Sequence, residues 1–260
     1  MTIITKIPGI TFTDATLPKL YRDTAITAGT KFLFDSLDTF SFPKQASPIA
    51  GADVWADLTP NAANASFSAG NVFGLGGFTF EPVAAQKISL PASGKSGANA
   101  AGFLFGIWIK HLAASATAFS GVTGMCDSTT ASGNQYSLDT GPAGSGNYRM
   151  TVMGNTGHIF SPAVGSIQQF VFGAKKLGNG TYDNYFWRNG VLVANSNPGA
   201  IAIGVPAASV PAIGILGGFG GGANFRAFRA FHDDLSTLSD LPAMTALALK
   251  DYNANVGRFS

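Results

Sequence analysis

Asn189-Gly190 divides a run of strand-forming residues, with Tyr185 to Arg188 on one side and Val191 to Ala194 on the other. A two-residue type I′ turn needs positive φ at both central positions, which Asn-Gly reaches at the least steric cost. The dipeptide therefore predicts two antiparallel strands in a tight hairpin. The same punctuation recurs along the chain. Glycine makes up 33 of 260 residues, against a usual ~7%. Gly, Pro, Asn or Ser separates short apolar runs: KFLFD from Lys31, KISLP from Lys87, GFLFGIWIK from Gly102, YRMTVM from Tyr148, QFVFGAKKL from Gln169, AIGIL from Ala212 and FRAFRAF from Phe225. Short strands at this spacing form all-β sandwiches or barrels. Several runs, such as FLFGIWI, are apolar on both faces and are expected to lie centrally between packed layers, so a two-layer antiparallel β-sandwich follows.

Only the end of the chain has a helical period. Asp240 can cap, Pro242 suits a first turn, and Leu241, Met244, Ala248 and Tyr252 recur near 3.6 residues, predicting a short C-terminal helix. Residues 1–30 are more polar, with LPKLYRD as a brief turn of helix, and read as an arm or attachment segment before a domain spanning 31–260. The uncharged stretch AIAIGVPAASVPAIGILGGFGGGA from Ala200 has the apolarity of a membrane span. Its prolines and glycines predict two short buried strands with a proline turn instead, and no membrane insertion.

Charged residues are 12% of the chain, and 16 Lys plus Arg against 14 Asp plus Glu leave a net +2 without a basic cluster. Nucleic acid is not an expected partner. The single Cys126 excludes a disulfide within the chain and a zinc site built from several cysteines, and the opening MTIITKIPGITFTD lacks the charged and apolar regions of a secretory signal.

Catalytic motifs fail on their context. SLPASGKSG has Ser89 where a phosphate-binding loop needs its first glycine, and GFGGGA, Gly218 to Ala223, is followed by a strand-like run instead of a helix. Glycoside hydrolysis usually needs two facing carboxyl groups, yet Glu81 is the only glutamate and the aspartates are scattered. Asp233 and Asp234 are neighbours, which on a strand point to opposite faces, and read as a solvated strand end. His111, His158 and His232 lack metal-ligand spacing and read as surface or hydrogen-bonded histidines. There is no G-x-S-x-G element, and Cys126 has no local signature of a catalytic thiol. No catalytic residue, cofactor or metal ligand is expected.

Taken in order, VWADLTPNAANASF with Trp55, Asp57 and Leu58, then GGFTFEPVAAQKISLP from Gly76, FLFGIWIK with Trp108 and Lys110, the Trp187-Arg188-Asn189-Gly190 corner, and FRAFRAFHDDLSTLSDLPAM resemble the concanavalin-A-like lectin/glucanase superfamily. The likeness is to the laminin-G-like domains of bacteriophage virion proteins in particular, and it covers about residues 31 to 255. It implies a jelly-roll sandwich. Arg188 departs from it by placing a charge where an apolar residue is usual. The acidic cluster of the family's glucanases is absent, as are the Arg-x-Glu-x-Arg and QIH elements of its alginate lyases, so only the fold carries over.

Because this fold hosts many functions, the functional expectation is separate. The resemblance, the light charge and the arm imply a non-enzymatic virion component, such as a tail-fibre, baseplate or head-decoration protein. Its expected partners are other virion proteins, copies of itself in a homo-oligomer with a trimer favoured, and host-surface glycan. The alternatives are a polysaccharide-degrading enzyme of the same fold and a free lectin. Tyr182, Tyr185 and Trp187 are the aromatics considered for sugar stacking, but alternate strand positions favour a core role and no binding residue is assigned.

Overall fold

In a computed structural model, residues 23–81, 86–115, 119–126, 134–142, 144–205, 210–216, 219, 221–238 and 240–259 are described. The strands are β1 (Thr30–Asp35), β2 (Val54–Trp55), β3 (Ala65–Phe67), β4 (Val72–Gly74), β5 (Gly77–Phe80), β6 (Lys87–Ser89), β7 (Gly102–Ala113), β8 (Gly121–Cys126), β9 (Asn134–Thr140), β10 (Tyr148–Val152), β11 (Asn155–Phe160), β12 (Ile167–Lys176), β13 (Tyr182–Arg188), β14 (Val191–Ser196), β15 (Ala212–Gly214) and β16 (Asn224–Asp233), followed by helix α1 (Leu241–Asn255). One sheet runs β14-β13-β12-β7-β16-β5-β4, with β1 also paired to β16, and the other runs β11-β10-β9-β8-β15-β6-β3-β2. The strand pairs are antiparallel, giving the two-layer sandwich.

The expected hairpin is β13 to β14, turning at Asn189 (φ 52°) and Gly190 (φ 77°). Its tip is held by Gln169 of β12. The Gly190 amide donates to Gln169 Oε1 at 2.8 Å, and the Gln169 amide donates to Asn189 Oδ1 at 3.0 Å. Arg188 is half-buried, with its guanidinium 5.4 Å from the centre of the Phe160 ring, so the charge that departs from the family pattern rests on an aromatic face.

The doubly apolar β7 has a cause. Phe103, Phe105, Ile107 and Ile109 join the core between the sheets, while Leu104 packs in a second cluster with Val171, Trp187, Met244, Leu247 and Ala248 under α1. Trp108 on that outer face meets Phe228 and Phe259. The second layer over β7 is thus helix and C-terminal tail. Asp240 caps α1 by accepting from the Ala243 amide at 2.8 Å, with Pro242 in the first turn.

Ionic chemistry fastens the same outer face. Arg229 of β16, at 0% exposure, donates to Asp251 Oδ1 on α1 at 2.8 Å, to both oxygens of Asp23 at 2.9 Å, and to Asp35 Oδ2 on β1 at 3.1 Å. Burial works against the guanidinium, and Asp251, Asp23 and Asp35 more than offset it, holding its pKa above the usual value. Ala25 and Ile26 are buried in the cluster under α1. Asp23 to Thr30 therefore pack within the domain, and the rest of the expected arm, with most of LPKLYRD, lies outside the described residues.

The stretch after Ala200 meets expectation in part: the buried strand expected from Ala212 is there, while Pro206 lies outside the described residues. Only Ala212–Gly214 is a strand there among the described residues, and Ile201 is 75% exposed. Apolarity without alternation does not distinguish a strand from an extended surface segment.

Candidate functional site

Pleating sorts β9 and β10 into two faces. Tyr136, Leu138, Tyr148, Met150 and Val152 enter the core between the sheets, so Ser137, Asp139, Arg149 and Thr151 face outward. Register then makes pairs of them: Arg149 lies opposite Asp139, and Thr151 lies opposite Ser137 on one side and Thr156 of β11 on the other. Asn134 at the start of β9 and Phe219 complete a polar cleft of about 180 Å³. Phe219 packs against Cys126, Ala212 and Leu216 on the outer face of β8 and β15. Phe219, which belongs to the glycine-rich run read from sequence as a loop, therefore supplies the apolar wall of the cleft.

At the floor, the Asp139 side chain is 1% exposed, and Arg149 Nε and Nη2 each lie 2.8 Å from its Oδ1. Burial lifts the Asp139 pKa to about 6, and Arg149 and the nearby Ser137 hydroxyl counter only part of that rise. The Arg149 guanidinium is also stacked 4.4 Å over the Phe119 ring. Asp139 Oδ2 and Asn134 Oδ1 are buried without a hydrogen-bond partner. Asn134 is oriented by Nδ2 donating to Ser137 Oγ at 3.1 Å, and the Thr151 and Thr156 hydroxyls share a hydrogen bond of 3.1 Å.

These groups can recognise hydroxyls and offer an apolar wall to a sugar ring. Asp139 is the sole carboxylate lining the cleft among the described residues, so the second acid of a glycosidase pair is not supplied there. No three His, Cys, Asp or Glu side chains are placed to hold a metal ion among the described residues.

The aromatics considered from sequence do not form a platform. Tyr182 is in the core between the sheets, while Tyr185 and Trp187 lie under α1, where Trp187 Nε1 donates to Thr245 Oγ1 at 3.1 Å. The histidines are dispersed. His111 Nδ1 is 3.0 Å from the Tyr148 hydroxyl, and half-buried His158 stacks on Phe160. His232 corrects the expectation of a surface or hydrogen-bonded residue: it is 1% exposed among Phe32, Phe103 and Tyr136, and neither ring nitrogen has a partner. Burial drives its pKa down to about 3. Asp233 is likewise no solvated strand end. It is buried, and its Oδ2 accepts from the Thr27 and Thr30 hydroxyls at 2.5 and 3.3 Å, because the chain before β1 folds back over it.

Asp139, Arg149 and Asn134 were not singled out by sequence. The available signal was the alternation in NQYSLDT and YRMTV, each of which carries one charge on the face away from its apolar residues.

No protein-family model matches the chain, and no curated protein matches it in sequence. Solved structures do match in fold. Domain 4 of AbnA, a GH43 extracellular arabinanase from Geobacillus stearothermophilus solved in complex with arabinotriose, is 14% identical, with 84% of this chain and 98% of that one covered at a TM-score of 0.51. The receptor-binding domain of botulinum neurotoxin type G is 8% identical over 88% of this chain and 52% of its own, with a TM-score of 0.57. A Trypanosoma rangeli sialidase is 13% identical over 87% of this chain and 33% of its own, with a TM-score of 0.52. The chain thus spans about half of the toxin domain and a third of the sialidase. At these identities the likeness establishes the sandwich fold.

Proposed function

We propose that the chain is a non-enzymatic glycan-binding sandwich module whose binding site is the cleft of β9, β10 and β11. The observation that carries this reading is the floor of the cleft, where Asp139 is held against Arg149 while Asp139 Oδ2 and Asn134 Oδ1 lack partners. Buried polar atoms without partners are uncommon in native proteins, and a ligand is one way to satisfy them. The arabinotriose bound by the arabinanase domain of the same fold supports the ligand class. The setting we propose is a virion protein that assembles with other virion components and with copies of itself and touches host-surface glycan. Its support is the lightly charged chain and the sequence resemblance.

The test uses the purified protein on an array of bacterial capsular and lipopolysaccharide glycans, with reducing ends and unsaturated sugars assayed in parallel. Binding without turnover is expected. Turnover abolished by a single Asp→Asn or His→Ala change replaces the module with an enzyme.

A further inference from the structure

We infer that the cleft takes a neutral sugar, through the sugar's hydroxyl donors, and turns away acidic sugars. The inference rests on the glycan-binding reading and goes on to the chemistry of the ligand. The two unsatisfied atoms beneath the cleft, Asp139 Oδ2 and Asn134 Oδ1, are both acceptors. What they lack is a donor. A neutral sugar presents several hydroxyls that can donate, whereas a uronate or sialate carboxylate brings only more acceptors to the same place.

The cation does not reverse this preference. Arg149 is the only Lys or Arg lining the cleft among the described residues. Its Nε and Nη2 are engaged by Asp139 Oδ1, and its guanidinium lies over Phe119. Its charge is balanced by the carboxylate it holds, so an incoming anion meets an ion pair instead of a free guanidinium. By the same balance, an ammonium ligand, which could also donate, meets no net opposite charge in the pair to offset the loss of its hydration. Uncharged hydroxyls remain the matching donors, and a site built to hydrogen-bond a hydroxyl rejects analogues that leave its buried polar groups unpaired. Thr156 is exposed and stands at the mouth. Both acceptors are covered from solvent, so the partly exposed Phe219 and Arg149 side chains must shift as the sugar seats.

The experiment is titration calorimetry on the full chain. A panel of neutral oligosaccharides is used, each paired with the same oligosaccharide bearing a terminal uronate or sialate. The neutral member of a pair is expected to bind about tenfold tighter or more, and Asp139→Asn to weaken it by about tenfold. Because Asp139 is buried and its variant can lose the fold, Thr156→Trp on the exposed edge strand β11 blocks the mouth independently and is expected to weaken binding as much. Equal or tighter binding of the acidic member overturns the neutral-sugar inference and leaves the glycan module standing. Neutral binding untouched by Thr156→Trp removes the cleft as the site. If no oligosaccharide of either kind binds, the glycan-binding reading itself falls, and the inference with it.

Discussion

Removing the guanidinium of Arg229 while keeping the side-chain volume, as Arg229→Met, should destabilise the fold by about 4 kcal/mol. Deleting one partner of a buried ion pair typically costs about 3–5 kcal/mol, because the opposite charge stays buried without compensation. Here three carboxylates are affected unequally. Asp251 is fully buried but keeps three donors, Trp108 Nε1 at 2.8 Å, Gln169 Nε2 at 2.8 Å and Asn255 Nδ2 at 3.1 Å. Asp35 keeps Arg258 at 2.8 Å. Asp23, 19% exposed, keeps the Ala25 amide and can turn toward water. Those remaining contacts hold the loss within the usual range, while the complete burial of Arg229 and Asp251 keeps it from being negligible. With a urea m-value of about 3 kcal/mol/M, the midpoint should fall by about 1.3 M in melts followed by far-ultraviolet circular dichroism. Lys44→Ala, which breaks the exposed Lys44–Asp53 pair, serves as the control and should leave the midpoint in place. The difference between variant and parent should also narrow as pH falls from 7. In the parent, burial raises the Asp23 pKa but Arg229 brings it net below the usual value, so this group's stabilisation is present at neutral pH and lost as acid protonates it. In the variant, the stranded carboxylates gain from protonation. A midpoint within about 0.3 M of the parent, or a difference that does not change with pH, would refute the hub.

Gly190→Val should cost about 3 kcal/mol in the same melts, since the site has φ +77° and a Cβ would lie 3.0 to 3.1 Å from Leu249 and Tyr252 on α1; an unchanged midpoint would mean that the corner tolerates a branched side chain and the tip does not press on the helix. His232→Leu should leave stability at pH 7 about unchanged, because both ring nitrogens are already without partners. At pH 4.5 it should exceed the parent by about 3 kcal/mol. Burial depresses the folded His232 pKa to about 3, so the stability tied to the neutral ring is present above about 6.5 and is lost as pH falls toward 3. Parallel pH profiles for variant and parent would show that this ring does not set the acid sensitivity.

Local chemistry determined much of this protein before any tertiary contact was known. Asn189-Gly190 dictates its hairpin because both residues readily take the positive φ of a type I′ turn, whose twist matches strands joined in two residues, and Asp240 with Pro242 starts α1 because they satisfy the geometry of a helix N-terminus. The alternation and punctuation of the apolar runs specified a two-layer sandwich. What covers the second face of β7 was not legible, because an apolar face has no preference between a sheet, a helix and a returning tail. Of the two strands expected after Ala200, the one from Ala212 formed, while residues 201–205 form no strand, for the same lack of direction. Arg229 and Asp251 lie 22 residues apart, Arg229 and Asp23 lie 206 apart, and nothing in their local sequence marks them as partners. The cleft stands between these cases. The alternation in NQYSLDT and YRMTV assigns Asp139 and Arg149 to strand faces, but only the register of β9 against β10 sets them opposite each other, and only the packing of Phe219 closes the wall beside them. Periodicity is a property of neighbours in sequence, whereas ion pairing, burial and cleft shape depend on distances that exist only after the two sheets and the helix have packed.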